Sequence, residues 1–168
     1  MASGVCLRGV RYVPGKGDNG KWTNSLQINY GRFTAGIDYR PLTEKLGPLA
    51  SVRLLDESKW LPTAMIGTGP DLFGETYSQA YFGVLSKKVT EPAGIKLSPM
   101  LGVGYIQELE DWKFIGGGNI RWKDYSVMLY HNGFNPHLVA SVDFLKHHTL
   151  SFVYWGLELP GASYTIKF

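Results

Sequence analysis

By type, the side chains best suited to covalent chemistry are His147, His148 and Ser151. An imidazole that takes the proton of a serine hydroxyl makes a nucleophile, as in a lipid-trimming hydrolase. Such a site also needs an acid to orient the histidine, and no Asp or Glu stands at a matching position. A histidine pair beside a turn is more often solvated than catalytic, so no enzyme is expected. The four His, scattered among Asp and Glu, lack metal-ligand spacing. Cys6 is alone, which excludes an intramolecular disulfide and a Cys-based metal site. Gly-x-Gly pairs at 67–69, 102–104 and 116–118 open no helix, so they do not read as phosphate loops. They suit curved strands that approach closely. No cofactor is expected.

The elements that carry these residues read as strands throughout. The clearest is the last run, where Tyr164, Ile166 and Phe168 alternate with Ser163, Thr165 and Lys167. Similar runs recur about every 14 residues, separated by Gly, Pro, Asn and Asp clusters. Leu26, Ile28 and Tyr30 lead through Gly31-Arg32 into Phe33, Ala35, Ile37 and Tyr39, the best-defined hairpin. Leu97, Pro99, Leu101, Val103 and Tyr105 form the strongest apolar face, although Pro99 removes a ladder hydrogen bond. The run from Val5 to Val13 and the one from Tyr125 to His131 fit with either face inward. No helix is expected. The short connections are 31–32, 123–124 and 146–147; longer loops are expected at 14–21, 41–47, 69–74 and 132–136. Residues 1–168 then form one all-β domain: a closed antiparallel up-and-down transmembrane β-barrel of about 12 strands (about 10–12).

Composition bears on which solvent the apolar face meets. Charged residues are 18% and aromatics 14%, with 21 Gly, ten Tyr and five Trp. Charge is thus below the roughly 25% usual for soluble domains. A net charge of +3 without any Lys/Arg run gives no reason to expect nucleic acid. Aromatics sit near strand ends on the apolar face (Tyr30, Phe33, Tyr39, Tyr105, Trp122, Phe144, Tyr154, Phe168), where membrane interfaces would lie. The polar face is rich in small uncharged residues such as Ser25, Thr34, Gly36, Ser98 and Asn119. With the apolar face outward, the lumen holds Asp38, Arg40, Arg53, Lys96, Arg121, Asp143 and Lys167, a net basic set that favours anions. A soluble barrel binding an apolar ligand inside is the alternative, and a lipid-modifying barrel enzyme is a third reading. No signal peptide is read at Met1-Ala2-Ser3, so an exported form is expected to be a mature or re-engineered chain.

Two resemblances sharpen this. The final run, Tyr164, Ile166 and Phe168, resembles the C-terminal targeting strand of bacterial outer-membrane barrels, which implies recognition by the outer-membrane assembly machinery. Residues 61–88 carry a Pro-led strand ending in Gly67, an Asp71/Gly74 loop and an aromatic strand ending in Ser86-Lys87. They follow Arg53-Leu54-Leu55-Asp56, and together these resemble YjbH-type outer-membrane proteins associated with exopolysaccharide production. The resemblance implies a barrel more directly than it implies polysaccharide chemistry, because the chain is far shorter than a full YjbH-type protein. The expected function is an integral outer-membrane barrel, porin-like or export-associated, whose partner is membrane lipid.

Overall fold

A computed structural model describes residues 5–70, 78–90 and 94–168 of the chain. The strands are β1 (Val5–Tyr12), β2 (Trp22–Tyr30), β3 (Phe33–Arg40), β4 (Lys45–Leu55), β5 (Thr63–Gly69), β6 (Ala80–Ser86), β7 (Val89–Thr90), β8 (Lys96–Ile106), β9 (Asp111–Trp122), β10 (Tyr125–His131), β11 (Pro136–Phe144), β12 (His148–Trp155) and β13 (Leu159–Lys167). A single helical turn, α1 (Asp18–Lys21), lies between β1 and β2. Among the described residues no helix is long and apolar enough to cross a membrane.

Every pairing is antiparallel, and each strand lies beside its sequence neighbours except at β7. That two-residue strand pairs only with the start of β8, while β6 pairs directly with β8 from Ala80↔Ile106 to Ser86↔Met100. β1 pairs with β13 from Leu7↔Lys167 to Tyr12↔Ala162, which closes the sheet into an up-and-down barrel of twelve strands. The seam continues past β13, where the Phe168 N–H donates to the Cys6 carbonyl at 2.9 Å. Pro99 is tolerated because it lies beyond the last β6–β8 ladder pair, where its missing N–H leaves no partner strand unsatisfied.

Closure requires strands to curl tightly at some inward positions. A Cβ at Gly36 would lie 2.3 Å from the Leu26 carbonyl oxygen, and one at Gly117 2.3 Å from that of Leu129. Only glycine lets adjacent backbones approach this closely.

The two-residue period sorts side chains into two shells. The outer one is apolar: Phe33 is 64% exposed, Leu101 58% and Ile28 55%. The inner one holds the buried polar groups, with Asp38 6% exposed, Arg40 1% and His137 0%, beside small buried apolar clusters such as Val13, Val153 and Trp155. This is the reverse of a soluble barrel that keeps its apolar residues inside. Register also settles the two undecided runs. Leu7 and Arg11 point inward with Gln27 and Thr23, whereas Tyr125, Val127 and Leu129 point outward with Trp122, Ile120 and Gly118. Outward aromatics gather in two belts. Tyr12–Trp22 and Tyr105–Trp112 touch at one rim, with ring centroids 5.4 and 5.2 Å apart. Trp122–Tyr125 and Phe144–Tyr164 meet at the other.

The second of these rims holds Val5 and Phe168 and is called the terminal rim; the first is the far rim. The tight turns at 31–32, 123–124 and 145–147 all lie on the terminal rim, and the loops at 13–21 and 132–135 on the far one. The expected division by length holds only in part. The terminal rim also carries the longer connections 56–62 and 87–95, and the far rim the short turns 107–110 and 156–158. The loop expected at 41–47 shrinks to 41–44, because Lys45 already pairs with Arg40 and Glu44 turns the chain with φ 52°. β9 begins at Asp111, opposite Ile106, directly after the turn at 107–110. Of the loop expected at 69–74, residues 71–74 fall outside the described residues, as do Met1–Gly4 and the break at Glu91-Pro92-Ala93.

Candidate functional site

The lumen brings the inward side chains together, and its far-rim half is packed. Val13, Val153 and Trp155 form a small buried cluster joined by Val139 and Leu159. Trp155 is flanked by cations: the Lys16 Nζ lies 3.5 Å from its ring centroid and the Arg11 guanidinium carbon 5.2 Å away. His137 packs on the same indole at 4.2 Å and on Tyr130 at 5.0 Å. The Gly156 N–H donates to His137 Nδ1 at 3.0 Å, so the neutral ring carries its proton on Nε2. Arg40 donates to the Pro70 carbonyl at 3.2 Å. Arg11 also interacts electrostatically with Tyr130, four strands around the ring, and with Asp38.

Below this cluster the lumen opens into two adjoining cavities of about 280 and 330 Å³. Arg11, Ser25, Gln27 and Asp38 line both of them. Ser163 and Thr165 complete the first; Thr34, Ser51 and Phe82 border the second. Asp38 Oδ1 has no hydrogen-bond partner among the described residues. Hydroxyl, amide and charged groups thus line the space together with apolar Leu7, Leu49 and Phe82, and they can hydrogen-bond hydrated polar solutes.

A second charged group lies toward the terminal rim. Arg121 pairs with Asp143, which also accepts a hydrogen bond from Thr149 at 2.5 Å. Lys167 adds its charge to the same carboxylate, and Lys96 stands opposite Arg121 in register. Arg53 turns to the rim, where it meets Asp56 at 3.3 Å; Arg32 holds the other oxygen. Desolvation pushes the Asp56 carboxyl up, but the hydrogen bonds and charges of Arg53 and Arg32 outweigh it and hold the group below the ordinary carboxylate range.

The expected lumen residues thus fall into separate groups. Asp38 and Arg40 join the far-rim half, Arg121, Asp143, Lys167 and Lys96 form the second group, and Arg53 leaves it for a loop. Sequence reasoning missed Arg11, Lys16, His137 and Trp155. His137 and Trp155 were within reach, since each is the next residue when the alternation of β11 or β12 is extended by one step. Arg11 lay on a strand of undecided facing, and Lys16 lies in a loop. His148 and Ser151 sit on opposite faces of β12: His148 faces outward against Tyr164, its Nδ1 2.5 Å from the phenol oxygen, while Ser151 faces inward and shares a 2.8 Å hydrogen bond with Ser141. His147 occupies the preceding turn. Among the described residues no group of three or more His, Cys, Asp or Glu side chains gathers to hold a metal.

Fold and interior together define a class: a twelve-stranded up-and-down β-barrel with an apolar exterior and a polar, net basic lumen. No protein-family model matches the chain, and no curated protein matches it.

Proposed function

We propose that the chain is an integral β-barrel of the bacterial outer membrane, forming a small, anion-preferring, non-catalytic passage of the porin-like or export-associated kind. The inverted burial carries this reading: buried Arg40, Asp38 and His137 inside, exposed Leu, Ile and Phe outside between two aromatic belts. In water that arrangement would expose apolar surface far beyond what a soluble monomer tolerates. In a bilayer it is the favourable one, because the closed ring leaves no open sheet edge and pairs strand backbone with strand backbone. Lipid is then the principal partner, and Tyr164, Ile166 and Phe168 on the outer face of β13 are the recognition signal for the assembly machinery.

The likeness to YjbH-type proteins gains a physical content from the rim. Arg53-Leu54-Leu55-Asp56 and Ser86-Lys87 are distant in sequence, yet the Lys87 ammonium donates to the carbonyls of Ser58 and Lys59 at 3.0 and 2.8 Å. Lys87 and the Arg53–Asp56 pair therefore brace one connection, 56–62. The export-associated form of the proposal rests on that resemblance alone; Asp71 and Gly74 of it lie outside the described residues.

The test is refolding in detergent beside refolding in plain buffer, read by the mobility of unboiled and boiled samples on a gel. A compact band that forms only with detergent and is lost on boiling supports the membrane barrel. A monodisperse fold in buffer alone sinks it and turns the search to an apolar ligand inside. Single-channel recording then tests the passage, with a reversal potential on the anion side expected from the basic lumen.

A further inference from the structure

One residue breaks the pattern of the outer shell. Arg8 points outward from β1, between Leu26 on β2 and Ile166 on β13. Among the described residues it is the one Lys, Arg, Asp or Glu at an outward-facing strand position. Its level matches Leu26, the middle residue of β2, so it lies well within the apolar band. An arginine there is destabilising at a bilayer midplane, and less so near the interface. Ion-forming side chains facing lipid are retained for a partner.

The surroundings narrow the partner's chemistry. A groove of about 260 Å³ beside Arg8 is lined by Asn24, Leu26, Ile37 and Tyr39, so apolar walls adjoin a guanidinium, an amide and a phenol. The same ladder row continues through Ile166 to His148, two strand spacings or about 10 Å away, where β12 begins at the terminal rim. His148 is already bonded to Tyr164 there. No carboxylate faces outward from a strand among the described residues, so the strand face of a second copy docked here would offer Arg8 no counter-charge. A group with a negative head and an apolar tail fits both halves of the groove.

We infer that the Arg8 groove binds an anionic phospholipid, its phosphate on the Arg8 guanidinium and an acyl chain along Leu26 and Ile37. The guanidinium snorkels toward the terminal rim and draws the headgroup inward. This inference rests on the membrane reading above.

The experiment is native mass spectrometry of the refolded barrel in detergent with equal amounts of phosphatidylglycerol and phosphatidylcholine. The unmodified barrel is expected to retain phosphatidylglycerol in preference, by about tenfold. Arg8→Gln removes that preference, Arg8→Lys keeps most of it, and Lys123→Gln, at a turn remote on the ring, leaves it unchanged. A heat-modifiable barrel that shows no preference, or an equal preference in Arg8→Gln, overturns the lipid site alone. A dimer that dissociates in Arg8→Gln overturns it in favour of a protein contact. Failure to form any heat-modifiable band in detergent removes the membrane reading and this inference with it.

Discussion

The Lys16 ammonium lies 3.5 Å from the centre of the Trp155 ring, inside the barrel. Lys16 comes from the loop after β1 and Trp155 from the end of β12, so the contact crosses the seam strand β13. With His137 on the same ring, these side chains fill part of the far-rim half of the lumen, above the two cavities.

Trp155→Ala is therefore expected to widen the passage. Removing a buried tryptophan costs about 3 kcal/mol or more, so the variant also unfolds at lower urea in detergent. Single-channel conductance checks the first effect. A variant that loses stability with unchanged conductance places the constriction elsewhere.

Gly117→Val tests closure. The new Cβ would meet the Leu129 carbonyl at 2.3 Å and the Tyr130 Cα at 2.5 Å, both backbone atoms that cannot move independently. The expected outcome is loss of the compact unboiled band. Gly17→Ala, where a Cβ meets nothing within 4 Å, is expected to retain it.

Asp143→Ala separates charge from stability. The Arg121 and Asp143 side chains are 45% and 26% exposed, so the pair contributes at most about 1 kcal/mol. Its loss frees two positive neighbours, Arg121 and Lys167, to face the passage. Urea unfolding is expected to shift little, while the reversal potential moves further toward anions.

Asp56 gives a pH signature. Its carboxyl is held below the ordinary value of 3.8, so its contribution is complete above that value and is lost as pH falls through the depressed folded one. Asp56→Asn is expected to melt below the unmodified barrel at neutral pH, with the gap closing in acid. A gap that persists in acid would assign the effect to the shape of the 56–62 connection.

The strands were largely legible because alternation is local. Leu26, Ile28 and Tyr30 declare a two-faced strand whatever surrounds them, and Gly31-Arg32 declares the turn. The break at 41–47 was misjudged because Lys45, a charged residue after Glu44, looks like loop until Arg40 is seen opposite it. Lumen neighbours were less legible. Alternation within β3 alone puts Asp38 and Arg40 on its polar face, but nothing in β3 announces Arg11, which the β1–β2–β3 register brings to the cavity beside Asp38.

By itself the sequence determined that the chain is a series of about 10–12 strand-like runs and, for most of them, which face is apolar and which polar. Both depend on neighbours one or two residues away. Only the tertiary structure decided that Trp155 meets Lys16, that Arg121 meets Asp143, and that Arg8 is the one charged strand residue on the outer face among the described residues. Those relations follow from the closed ring and its register. Closure sets distances between strands far apart in sequence, and a one-residue slip at the seam would exchange inside for outside.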